Sequence, residues 1–201
     1  MRLLFIRHGQ GEHNLPVPDR LNILHPRLTE LGVAQIRELQ RRLNVTSRDL
    51  IFVSPTVRTI EAAQILVTDA TDTAILTSPL IGPRMYPQFG EETDPLHPNW
   101  APLRCDQTLT RQEIEQAYPS VCIVSREPAD CWDEGINQMP TKDFYARARA
   151  FLASIKVLDF NRILFLTHDG TITSYREMLG EERLSRADFL GEAGIYEMPN
   201  S

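Results

Sequence analysis

Lysine is nearly missing from this chain: of its 21 basic residues only Lys142 and Lys156 are lysines. A basic face is missing as well. The 201 residues carry a net charge of −6 at pH 7, whereas nucleic acid or an anionic membrane would call for an excess of positive charge. Any anion site must therefore be local and built from arginine and histidine, and arginine's planar fork suits phosphate and carboxylate oxygens. Cysteine is scarce too. Cys105, Cys122 and Cys131 are an odd number with no zinc-ligand or disulfide spacing, which predicts reduced thiols in the cytosol. Long apolar runs do not occur. The N-terminal "LLFI" breaks at Arg7, too short for a signal-peptide core, and no later stretch approaches the roughly 20 apolar residues of a membrane span. These absences predict a soluble, cytoplasmic chain with neither nucleic acid nor a membrane as partner; they leave its oligomeric state open.

What is present reads as an α/β fold in one domain over residues 1–201. "RLLFI" (2–6) is a continuous apolar run of the kind found in strands covered on both faces. "TELGVAQIRELQRRL" (29–43) follows with Leu31, Ala34, Ile36, Leu39 and Leu43 at helical spacing and Thr29 as N-cap. "DLIFVS" (49–54) is a second strand, and "SPTVRTIEAAQIL" (54–66) a helix with Ser54 as N-cap and proline at its first position. "RILFLT" (162–167) is a third strand, feeding a helix from about Thr171 to a cap at Gly180. Strands that each feed a helix predict three layers, with a mostly parallel central sheet between helices. Between residues 79 and 140 only "TRQEIEQAY" (110–118) looks helical, with Thr110 and Glu113 as a capping box. So long an irregular stretch predicts a lid or substrate-binding insertion, after which a helix from about Thr141 to Leu158 returns to the core.

In open α/β sheets ligands bind beyond the carboxyl ends of the strands. The three strands deliver Arg7 and His8, then Ser54 and Arg58, then His168 to that edge. Two arginines there bind an anion permanently, and of two imidazoles one can attack phosphorus while the other donates to the oxygens. The attacking ring must be neutral at one nitrogen, with its N–H held by a backbone carbonyl, and Gly9 lets the backbone come close enough.

"RHGQGEHN" with "SPTVRTIEAA" and "THDGTI" resembles the histidine phosphatase superfamily, the phosphoglycerate mutase-like fold, over residues 2 to about 180. The resemblance implies a metal-independent phosphomonoesterase acting on a small-molecule phosphate ester, with no cofactor. His8 would become the phosphohistidine. Arg7, Arg58 and His168 would hold the phosphoryl oxygens, Asn14 would add a contact, and Gln10 and Gly11 would shape the loop. The arginines would supply the positive charge that Mg²⁺ brings elsewhere.

The family's proton donor follows the third strand, where this chain reads "SPLIGPRMYPQ" (78–88) with no carboxylate. Asp106, in "PLRCDQ" (102–107), a segment resembling a eukaryotic mutase-like branch, is the first candidate. Glu91 and Glu92 come next. Asp169 is the third, at a position often occupied by glycine in relatives. Each carboxylate has a plainer alternative: a turn cap for Asp106, solvated loop charge for the glutamates, a helix cap for Asp169. Arg84 and Arg104 are either contacts for a second anionic group or surface arginines. His13, His25 and His97 read as loop histidines. Trp100, Trp132, Tyr86 and Phe89 make either an apolar wall over the pocket or the insertion's own small core. Two other functions stay open: a mutase that returns the phosphoryl group to another hydroxyl, and a phosphatase fold kept as a binding module or recruited to other acid/base chemistry.

Overall fold

The structure, a computed structural model, describes residues 1–88, 103–124 and 129–199. Six strands, β1 (Arg2–Arg7), β2 (Asp49–Val53), β3 (Ala74–Thr77), β4 (Val121–Ile123), β5 (Arg162–Thr167) and β6 (Ile195–Glu197), form one sheet in the order β4-β3-β2-β5-β1-β6. All pairings are parallel except β1 with β6. The central strands alternate their side chains between two cores, which is why each reads as an unbroken apolar run. Leu3, Phe5, Phe52, Ile163 and Phe165 face α5 (Thr141–Ile155) and α6 (Asp169–Met178). Leu4, Ile6, Ile51, Val53 and Leu164 face α1 (Glu30–Leu43), α2 (Val57–Leu66) and α3 (Arg111–Ala117). Phe5 and Phe165 stack at 4.6 Å between ring centres on adjoining strands. Each fully buried side chain of this kind contributes about 1.5–3 kcal/mol.

Helix starts depart from expectation where tertiary contacts claim the capping residue. Thr29 Oγ1 does accept from Gly32 N (3.1 Å) to open α1, and α1 buries Ile36 and Leu39, but Leu31 stays half exposed. The second helix begins at Val57 with Thr56 at its N-cap, not at Ser54, because the Ser54 hydroxyl is bonded to His168 instead. The last helix begins at Asp169, two residues early, and ends at Met178 ahead of Gly180, whose φ is +103°. Thr110 and Glu113 close the expected capping box, 2.7 and 3.2 Å. Between 79 and 140 the expected helix is α3, and β4 and a short α4 (Ala129–Asp133) add regular structure that the composition does not suggest. β3, β4 and β6, of three or four residues each, are too short to leave a periodic signature.

Two glycines set the loop after β1. A Cβ on Gly9 would stand 2.5 Å from Gly32 O, and one on Gly32 only 2.1 Å from Gln10 O. The first turn of α1 therefore packs backbone against backbone on the "HGQ" segment. Among the described residues no helix is long and apolar enough to cross a membrane.

Candidate active site

Because β1, β5 and β2 are parallel neighbours in register, with Arg7 beside Thr167 and Val53 beside Leu166, their carboxyl ends finish at one level. His8 N bonds Thr167 O (3.1 Å) and Ser54 N bonds Leu166 O (3.0 Å), which carries the alignment one residue past the strands. The next residues thus meet at a cavity of about 200 Å³ lined by Arg7, His8, Arg58, Asp106, His168 and Asp169, among others. The amino ends of α2 and α6 point the same way and favour negative charge there.

His8 Nδ1 lies 2.6 Å from Gly9 O, so the N–H is on Nδ1 and the lone pair on Nε2. Arg58 Nε donates to that Nε2 at 3.3 Å. Burial, then the charge of Arg58, holds the His8 imidazole well below its usual pKa and keeps it neutral. Arg58 is 1% exposed and spends its remaining donors on Cys105 O (2.8 Å), Asp106 Oδ1 (3.3 Å) and His168 Nδ1 (3.1 Å). Since Arg58 can only donate, His168 Nδ1 is the acceptor, and its Nε2–H donates to Ser54 Oγ at 2.8 Å. Burial and Arg58 also hold His168 well below the imidazole range.

Arg7 pairs with Asp169 Oδ2 at 3.1 Å and donates to Leu190 O. Both arginines of the edge thus hold a carboxylate, Asp169 on Arg7 and Asp106 on Arg58. Asp106 stands in a 3₁₀ turn, Arg104–Asp106, with Asn137 Nδ2 3.5 Å from its Oδ2 and 22% of its side chain exposed. Burial raises its carboxyl from the ordinary aspartate value against the pull of Arg58. When it carries a proton, a carboxyl group beside a neutral imidazole and a fixed guanidinium can pass that proton to an oxygen leaving the same anion.

The remaining residues separate into those at the cavity and those elsewhere. Asn14 lines the cavity and uses Oδ1 to accept from Gly11 N (2.9 Å). The side chain of Gln10 turns away to Thr29 Oγ1 (2.9 Å), so it braces the loop from behind. Arg84 borders the cavity, but its guanidinium faces inward, to Ile136 O (2.9 Å), Met139 O (2.6 Å) and the ring of Phe144 at 4.3 Å, rather than toward a second anion. Arg104 is exposed and outside the cavity lining. Tyr86 lines the cavity with its hydroxyl 2.6 Å from Glu177 Oε1, whereas Trp132 belongs to the core beneath Arg111 (4.8 Å). Glu91, Glu92, His97, Trp100 and Phe89 lie outside the described residues. Sequence reasoning passed over Arg20, Arg186 and Phe189, which also line the cavity. The last two come from the chain beyond the recognisable motifs, where no local pattern announces them.

Fold and site together define a three-layer α/β protein with an arginine–histidine pocket at the carboxyl edge of its sheet. Residues 3–81 match the family model of the histidine phosphatase superfamily (branch 1). No curated protein sequence matches the chain. Solved structures do. The ecdysone phosphate phosphatase of Bombix mori is 16% identical, with a TM-score of 0.63 over 99% of this chain and 89% of its own. The putative alpha-ribazole-5'-P phosphatase of Escherichia coli is 17% identical (TM-score 0.59, 100% and 91% covered), and the mycobacterial glucosyl-3-phosphoglycerate phosphatase 20% (0.57, 98% and 91%). Residues 3–81 thus carry the likeness to that superfamily, and the solved structures share the fold of the chain.

Proposed function

We propose that the protein is a metal-independent phosphomonoesterase that hydrolyses a small phosphorylated metabolite through a phosphohistidine at His8. The observation that carries this reading is the His8 ring itself: Nδ1–H is fixed on Gly9 O at 2.6 Å, which puts the lone pair on Nε2, and that lone pair attacks once Arg58 Nε, 3.3 Å away in the resting site, turns its donor to the incoming anion. In the first step Nε2 attacks phosphorus, the P–O ester bond breaks, and Asp106 gives its proton to the departing oxygen. In the second, water attacks phosphohistidine, Asp106 takes up the water's proton, and inorganic phosphate leaves with His8 restored. Arg7 and Arg58 stabilise the charge that builds on the phosphoryl oxygens, Arg7 exchanging its contact with Asp169 for the substrate, while His168, accepting from Arg58 at Nδ1 and donating to Ser54 at Nε2, positions the Arg58 guanidinium. Asn14 adds a donor from the loop. The structural neighbours named above support a small phosphate ester as substrate, and the roughly 200 Å³ cavity suits a ligand of that size.

A single turnover with a ³²P-labelled ester, quenched in alkali, should trap acid-labile label on the protein, and His8→Ala should trap none. Label that survives in His8→Ala refutes the assignment. No turnover of any ester by a protein that still binds phosphate would make the pocket a binding module instead.

A further inference from the structure

His13, in the first motif, takes no part in the steps above, yet its surroundings hold it at the pocket. A Cβ on Gly11 would stand 2.7 Å from both Nδ1 and Cε1 of the His13 ring, so the ring occupies room that only glycine leaves. Gly11 N is tied to Asn14 Oδ1 (2.9 Å), and Arg20 Nη1 donates to the His13 carbonyl (2.7 Å), which pins the loop on both sides of the ring. The ring is 8% exposed and lines the same cavity as His8, with the two ring centres 5.4 Å apart and the planes at 50°. Its Nδ1 is buried with no hydrogen-bond partner. Buried polar atoms are ordinarily paired, so an unpaired nitrogen on a ring that lines the cavity leaves a hydrogen bond for water or a ligand to complete. Burial, then Arg58, Arg7 and Arg20, lowers the pKa of His13 to about 3, so the resting ring is neutral and carries one N–H donor.

Resting on the phosphatase reading of this pocket, we propose that His13 touches the substrate, its imidazole N–H donating to a non-bridging oxygen of the phosphoryl group held at His8. An attacked phosphorus stands about 3–3.5 Å from His8 Nε2. Its oxygens extend beyond that, where a hydrogen bond of about 2.7–3.2 Å meets a ring packed beside His8. The arginines already supply permanent charge, so His13 adds direction: it orients the oxygens for in-line transfer. Because the contact is to the phosphoryl group, its loss affects every ester alike, whatever the alcohol.

Orthovanadate, a phosphoryl mimic that needs no turnover, is the probe. His13→Phe keeps the ring's bulk and removes the N–H; His13→Asn restores a donor. Calorimetric titration should show vanadate affinity down by about 10- to 100-fold in His13→Phe, the scale of a hydrogen bond to a charged group. It should be recovered in part in His13→Asn, with kcat/KM falling alike for p-nitrophenyl and alkyl phosphates. Wild-type affinity in a folded His13→Phe overturns the proposal. Should that variant not fold, ¹⁵N resonances of the His13 ring in the wild-type protein are the second measurement, and an unchanged spectrum at saturating vanadate overturns it equally. Vanadate bound by a wild type that hydrolyses no ester refutes the phosphatase reading and leaves the His13 contact standing.

Discussion

Asp106→Asn separates proton transfer from phosphoryl attack. The substitution keeps the side chain's volume, and Asn Oδ1 can still accept from Arg58 at the 3.3 Å position, so the pocket's shape survives while the transferable proton does not. General acid catalysis contributes about 10²–10⁴ in rate, or ~3–5 kcal/mol of barrier. That whole contribution applies to an alkyl phosphate, whose alkoxide cannot leave unprotonated. For p-nitrophenyl phosphate, whose phenolate is a good leaving group, the loss should stay within about tenfold. The assay is kcat/KM across esters graded by leaving-group basicity, with a steeper dependence expected in the variant. The pH profile adds a second reading. Burial raises the Asp106 carboxyl, so wild-type activity on alkyl phosphates declines as pH rises through that raised value, and the variant lacks this limb. An equal loss across all leaving groups would refute the reasoning and leave Asp106 as a partner of Arg58 only. No loss at all would move the donor to Asp169 or to the glutamates at 91 and 92.

Three further outcomes follow from the same contacts. Ser54→Ala removes the acceptor that holds His168 Nε2–H at 2.8 Å; kcat/KM should fall about tenfold with the folded state intact, and wild-type kinetics would show that Ser54 does not set the ring. His8, His13 and His168 are buried and neutral, all depressed below the unfolded imidazole value, so the unfolded chain binds protons that the folded one refuses. Stability should therefore be full above the unfolded value of about 6.5 and fall as pH drops below it, by about 1.4 kcal/mol per pH unit for each ring that must stay neutral. Urea midpoints read this, and a midpoint flat from neutrality to about pH 5 would contradict it. Asp49 is 1% exposed; burial pushes its carboxyl up, but Arg162 at 2.8 and 2.6 Å and Thr46 N at 2.8 Å outweigh that and leave it depressed. Asp49→Ala, which strands Arg162, should cost about 3 kcal/mol in urea unfolding at pH 7, with less cost as pH falls and the wild-type carboxylate itself protonates; a cost below about 1 kcal/mol refutes the pairing as a support of the fold.

The attacking half of the site could be read from the chain because it is local. His8, Ser54 and His168 each follow directly on a strand, and parallel strands in register bring their ends together without further information. The need for a carbonyl on the nucleophile's N–H was also readable, since Gly9 is its neighbour in sequence. Amphipathic helices and the Thr110 capping box were legible for the same reason. What the tertiary structure alone decided is set by contacts distant along the chain. Ser54 looked like a helix cap and became the partner of His168, 114 residues away. Arg84 read as either an anion contact or a surface arginine, and it is buried against Phe144. Asp106 meets Arg58 because the turn Arg104–Asp106 lies against that side chain of α2, 48 residues away, and neither periodicity nor spacing encodes the meeting. His13 stands at the pocket because Gly11 leaves room for its ring, a steric fact that becomes visible only when backbone and imidazole are placed together.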